Sequence, residues 1–241
     1  MALVALSRET HAKLKLLPVG SFEFARTMPL VRVVAAEIAQ VAPNFPVVFL
    51  KEGEAFAPYA LMGLAQGENL YVADDGRWLG FYVPAMLRRY PFMFGRAPEV
   101  AEGKAVLMID DAMLSPDEGE PLFTDDSSEP SGPVARAIQF LTELELRAGR
   151  TAALVKTLAD LDLMDLLPLQ VNRTGSEPTP LGGMYVVNEA KLDALPDETF
   201  LALRRSGALS LAFAQILSLT QLGRLQARAT AKANNVATPF V

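Results

Sequence analysis

The chain of 241 residues contains no cysteine and a single histidine, His11. The first absence removes disulfides, zinc–thiolate sites, iron–sulfur clusters and cysteine nucleophiles, and leaves no dependence on an oxidising compartment. The second removes three-histidine zinc sites, two-histidine iron sites and the His-Glu-x-x-His protease helix. A serine–histidine–aspartate device would have to be assembled around His11 alone, and no Gly-x-Ser-x-Gly elbow is there to hold its nucleophile. We expect His11 to be a partly exposed residue on a terminal strand. Phosphate-cradling loops are missing as well: neither Gly-x-x-x-x-Gly-Lys-Ser/Thr nor Gly-x-Gly-x-x-Gly occurs, so no nucleotide and no other cofactor is expected. Basic residues are outnumbered, 22 against 28 acidic, giving a net charge of −6. That sign opposes binding to a phosphate backbone, and no nucleic-acid partner is expected. The longest weakly polar stretch, Gly207 to Gly223, is uncharged but falls short of the ~18 apolar residues of a spanning helix and carries Ser210, Gln215, Ser218, Thr220 and Gln221. It reads as a buried helix, with no integral membrane segment in the chain. Arg8, Glu9, His11, Lys13 and Lys15 interrupt what would be the apolar core of a secretory signal. A cytoplasmic location is expected, with export by a non-Sec route left open.

What remains is a chain that is 51% apolar, with 16 glycines and 17 prolines scattered along it, long enough to close a core without staples. Pro29 predicts a helix over Leu30 to Val41, ended by Pro43. Short β-branched or aromatic runs follow: Val47 to Leu50, Phe56 to Leu64, Asn69 to Val72, Trp78 to Tyr82 and Lys104 to Ile109. Asp74-Asp75-Gly76 is placed as a hairpin turn. Helical periodicity takes over in Val134 to Leu146, Leu154 to Leu167 (part of which could be strand) and Leu209 to Leu225. Met184 to Val187 reads as a strand, and Asn188 as the cap of a helix over Glu189 to Leu195. The pattern predicts an α+β fold: a strand-rich N-terminal half with mostly antiparallel sheet and a helix-rich C-terminal half. We expect a single domain over 1–241, in which a strand-rich lobe, 1–109, and a helix-rich lobe, 133–241, flank an acidic loop, 110–132.

Two segments hold candidate chemistry. The acidic stretch carries Asp110, Asp111, Asp117, Glu118, Glu120, Asp125, Asp126 and Glu129. It matches no EF-hand spacing and reads as a solvated loop, so no metal site is expected. The second segment, Trp78 to Arg96, sets aromatic rings beside guanidinium groups, which can stack on and pair with an anionic or peptide ligand. Trp78, Tyr82, Arg88, Arg89 and Tyr90 are the candidate ligand-binding residues. The competing reading makes the same rings core and pairs the arginines with nearby acids.

Several motifs recur together: Asn44-Phe45-Pro46-Val47-Val48-Phe49, Leu61-Met62-Gly63-Leu64, Asn69-Leu70-Tyr71-Val72, Gly76-Arg77-Trp78 and, above all, Tyr82-Val83-Pro84-Ala85-Met86-Leu87-Arg88-Arg89-Tyr90-Pro91-Phe92. Glu118 to Phe123, Gly182 to Val187 and Leu217-Ser218-Leu219 extend the pattern. On these residues the sequence resembles, over nearly its whole length, the SapC-like proteins of bacteria, named for a component linked to surface-layer proteins. The resemblance implies an association with surface-layer or outer-membrane receptor systems and supplies no catalytic signature. The expected function is that of an accessory protein, leaning away from an enzyme, that binds a peptide, protein or small anionic ligand. A protein or peptide is the expected partner. The alternatives are a carboxylate enzyme using Asp110 and Asp111 with an arginine, and a structural surface-layer subunit. Convergence of those aspartates on Arg88 or Arg89 would favour the enzyme. A water-accessible concavity holding the rings and guanidinium groups would favour the binding protein.

Overall fold

A computed structural model of the protein describes residues 2–96, 105–123, 132–171 and 179–234. The fold is α+β, with antiparallel sheets, strands mainly in the first half and helices in the second. The central sheet has five strands in the order Met164–Leu166, Met184–Val187, Val47–Glu52, Ala55–Leu61, Leu30–Arg32, every pairing antiparallel. Val47, Val48 and Phe49 are buried in succession, so both faces of the central strand are covered. That is why the segment is continuously apolar and not alternating. Glu52 faces Ala55 across a two-residue turn, as a tight hairpin requires. Two of the five strands come from the helix-rich half of the chain, where Asn188 caps Glu189–Asp193 by accepting from the Lys191 backbone N–H at 3.0 Å.

The helix expected over Leu30 to Val41 forms only at its end. Leu30–Arg32 is an edge strand paired with Tyr59–Leu61, and helical turns cover only Ala35–Glu37 and Ile38–Val41. A short run that is apolar all round carries no period to separate helix from strand, and the β-branched Val31, Val33 and Val34 favour the extended form. Asn69 to Val72 and Trp78 to Tyr82 are likewise not strands; Val72 and Trp78 form one isolated bridge. The predicted turn between them is present, with Gly76 at φ +81° and its N–H on the Ala73 carbonyl at 2.8 Å. Beyond Trp78 the chain folds over the indole, which leaves no space for a side chain at position 80.

Gly132–Asp160 is one helix of 29 residues where two shorter segments were expected, and Met164–Leu166 confirms the strand component after it. Its Val155 and Leu158 pack with Phe49 and Leu211 in one core cluster. Helix Ala208–Ser218 lies against the sheet with Gln215 and Ser218 fully buried. The Gln215 side chain accepts from the Val187 N–H and donates to the Val47 carbonyl, both at 2.9 Å, and the Ser218 hydroxyl accepts from the Val47 N–H at 2.9 Å. Those backbone groups would otherwise be orphaned at the end of the strand ladder. Gly207, at φ +90°, ends Asp197–Ser206 and turns the chain by 88° into the next helix. Among the described residues no single helix is long and apolar enough to cross a membrane.

A second sheet pairs Leu3–Ala5, Val106–Asp110 and Phe92–Gly95. The described part of the acidic stretch is structured. Leu114–Ser115 and Glu120–Pro121 flank Lys15–Leu16 in a small third sheet, and Leu122 is buried with Phe92, Ile109 and Val134. Asp125, Asp126 and Glu129 lie outside the described residues. His11 ends the short helix Arg8–His11 and is buried, not exposed on a strand. Its Nδ1 lies 2.6 Å from the Thr10 hydroxyl, so its polar edge is satisfied locally.

Candidate functional site

The segment from Trp78 to Phe92 is fixed in place by a residue far from it in sequence. Glu37 closes the helical turn Ala35–Glu37 and is almost completely buried. One carboxylate oxygen accepts from the Val34 N–H at 3.1 Å; the other accepts from the Tyr82 hydroxyl and the Ala85 N–H, each at 2.8 Å. Three converging donors compensate the desolvation of a buried carboxylate. Because Ala85 opens the short helix Ala85–Arg88, Glu37 also sets where Arg88 begins its reach.

The five candidate residues divide into two groups. Trp78 packs among Phe22, Phe45 and Tyr71, and its indole N–H donates to the Tyr82 carbonyl at 3.0 Å. It is half-buried against the main core and lines none of the four clefts described below. Tyr82 faces Glu37; burial first, then the carboxylate beside it, raises its phenol above the usual value. Arg88, Arg89 and Tyr90 instead come together along one wall of a surface cleft of about 530 Å³. Arg136 and Phe140 from the long helix and Leu16 to Val19 line the same cleft.

Each of the three behaves differently. Arg88 is exposed, donates to the Val83 carbonyl at 3.0 Å and to the Tyr82 hydroxyl at 3.2 Å, and lies over the Phe140 ring at 5.6 Å. Tyr90 stacks flat on Phe24 at 3.9 Å, and its hydroxyl donates to the buried Asp110 at 2.9 Å. Burial, with that carboxylate second, pushes the Tyr90 phenol up to about 12. Arg89 is half-buried, and burial lowers its guanidinium below the usual arginine value. No carboxylate among the described residues lies within ion-pair distance of it, although Glu145 exerts a weak longer-range attraction. Arg136, by contrast, is held by Glu120 at 2.7 Å. The cleft thus gathers three guanidinium groups and one carboxylate in a protein whose net charge is −6.

Arg89 also lines two further cavities, one of about 80 Å³ beside Glu145 and one of about 250 Å³ beside Phe24. An arginine fork that is desolvated, unpaired and open to a cavity can take a carboxylate or phosphate by two parallel hydrogen bonds. A fourth cleft, of about 620 Å³ between the long helix and Ala208–Ser218, holds none of the candidate residues. Asp110 and Asp111 line none of these four cavities: Asp110 is occupied by Tyr90, and Asp111 is exposed. The aspartates therefore do not converge with Arg88 or Arg89. Among the described residues no group of three acidic or histidine side chains is gathered to hold a metal ion.

Sequence reasoning missed Glu37, Arg136, Phe140 and the Leu16 to Val19 wall. Nothing local marks them, because their relation to Arg89 arises only through long-range packing. A family model described as SapC matches residues 6–225, nearly the whole chain. The chain belongs to the SapC family. No curated protein and no solved structure matches it. Some motifs shared with SapC-like proteins form structural joints here: Asn69 is fully buried, donates to the Ala25 carbonyl and accepts from the Tyr71 N–H, while the Tyr71 hydroxyl donates to the Asn44 carbonyl. Two of the stretches on which the resemblance rests, Tyr82 to Phe92 and Glu118 to Phe123, reach the first cleft.

Proposed function

We propose that this SapC-family chain is a ligand-binding accessory protein of a bacterial surface-layer or outer-membrane receptor-linked pathway, and that it holds a peptide or small molecule by an anionic group. Arg89 is the anchor, Arg88 and Arg136 contribute the surrounding positive field, and Phe140 with Leu16 to Val19 offers apolar surface to the rest of the ligand. The observation that supports this most is the half-buried Arg89 guanidinium, which lines three cavities and has no carboxylate within ion-pair distance among the described residues. A partly desolvated cation left without an intramolecular partner gains most from an external anion. Trp78 and Tyr82 act at one remove, holding the segment that carries the arginines.

The test is a thermal-shift and calorimetric comparison of peptides and small acids with their neutral amides. Acids should stabilise the protein and amides should not, and Arg89→Gln should lower affinity for the acids tenfold or more. Equal effects of acids and amides, or undiminished binding by Arg89→Gln, would remove Arg89 as the anchor.

A further inference from the structure

The segment Arg89 to Phe92 is a wall shared by two cavities: the open cleft on one side and a pocket of about 250 Å³ on the other. We propose that this pocket takes a carboxylic acid with an unbranched apolar tail of about eight carbons, its acid group on Arg89. The inference rests on the reading of Arg89 as an anion anchor and adds the class of ligand.

The pocket's walls are built for an apolar chain. The stacked Phe24–Tyr90 pair forms a flat side, 3.9 Å between ring centroids and 6° between planes. Met28, Met86 and Met93, three of the nine methionines in the chain, line it together with aliphatic side chains such as Leu30 and Leu87. Unbranched, polarisable thioethers adapt to a flexible tail. The other polar side chains that border the pocket are otherwise engaged: the Tyr90 hydroxyl donates to Asp110, and Arg32 faces Glu52 at 3.6 Å. Arg89 alone brings an uncommitted charge. A peptide tail would carry amide groups into a space lined mostly by apolar side chains, which is costly wherever they go unpaired, whereas methylene groups need no partner. At about 30 Å³ for a water-sized group, the volume accepts about eight methylenes.

Straight-chain carboxylates from acetate to dodecanoate, each below its micelle-forming concentration, and the matching alcohols would be titrated calorimetrically. Affinity should rise about fourfold for each added methylene and level off near eight carbons. Alcohols should bind at least tenfold more weakly than acids of equal length. Leu3→Trp at the partly exposed rim should abolish the chain-length dependence while short acids still bind, and Arg89→Gln should weaken every acid. Short acids that bind through Arg89 with no gain from added methylenes would overturn this inference and leave the anion anchor standing. Alcohols that bind as well as acids would also overturn it. If no acid of any length binds, the anchor itself fails and the inference with it.

Discussion

Replacing Glu37 by glutamine keeps the volume and removes one oxygen acceptor from a site where three donors meet. The amide oxygen can serve the Tyr82 hydroxyl and the Ala85 N–H, which places the amide nitrogen, itself a donor, against the Val34 N–H now 3.1 Å from an oxygen. One buried donor is then orphaned, at about 1–3 kcal/mol, and two charge-assisted bonds become neutral ones, at about 1 kcal/mol each. The expected loss is about 4 kcal/mol, and a chain of this size should fall by about 8–16 °C in Tm. Thermal unfolding followed by circular dichroism measures this directly. Tyr82→Phe removes one of the three donors, and with it the exposed Arg88 bond to that hydroxyl, and should cost about 1.5–3 kcal/mol, less than Glu37→Gln because two backbone N–H groups still hold the carboxylate. Since the same carboxylate fixes the start of the Ala85–Arg88 helix, Glu37→Gln should also weaken acid binding at Arg88 and Arg89, measured below the variant's Tm. A Tm within about 3 °C of the parent protein would refute the three-donor account of this joint.

Arg89→Gln should leave stability within about 1 kcal/mol of the parent, because no ion pair is broken, and a larger loss in denaturant unfolding would reveal a structural role. The phenols of Tyr59 and Tyr90, both raised to about 12 from 10.0, mainly by burial and then by Glu52 and Asp110 respectively, should ionise last in a near-ultraviolet absorbance titration. Raised folded values mean that their stabilising contribution is complete below about pH 10 and is lost as pH climbs toward 12. Tyr90→Phe should delete one of the late-titrating groups, and an unchanged titration curve would contradict this. Gln215→Leu orphans the Val47 carbonyl and the Val187 N–H inside the core, for an expected loss of about 4 kcal/mol; a loss under about 1 kcal/mol would mean those groups find other partners. Gly207→Ala meets no steric obstacle but must keep φ near +90°, so about 1–2 kcal/mol should be lost by the same measurement.

How much of this was legible in the chain depends on the range of the interaction involved. The strand at Val47, the turn at Gly76 and the cap at Asn188 follow from preferences that act within a few residues, and they were readable. The helix assigned to Leu30 to Val41 failed in its first half because pairing with Tyr59–Leu61 outweighs a weak local preference. At the candidate site, composition alone drew attention to Trp78 through Arg96, yet it could not separate Trp78, whose N–H is used internally, from Arg89, which meets no carboxylate among the described residues. Both are large residues in the same segment, and only their neighbours differ.

By itself the sequence determined the exclusions and the family: without cysteine, with one histidine and without a phosphate loop, whole classes of chemistry lack their atoms, and the ordered motifs place the chain among SapC proteins. The tertiary structure decided which charge is available. Arg136 meets Glu120, Arg32 meets Glu52 and Arg89 meets no carboxylate among the described residues, an outcome fixed by separations of a few ångströms between segments that lie far apart in sequence. Ion pairing and desolvation depend on those distances and on burial, neither of which is written in the order of residues.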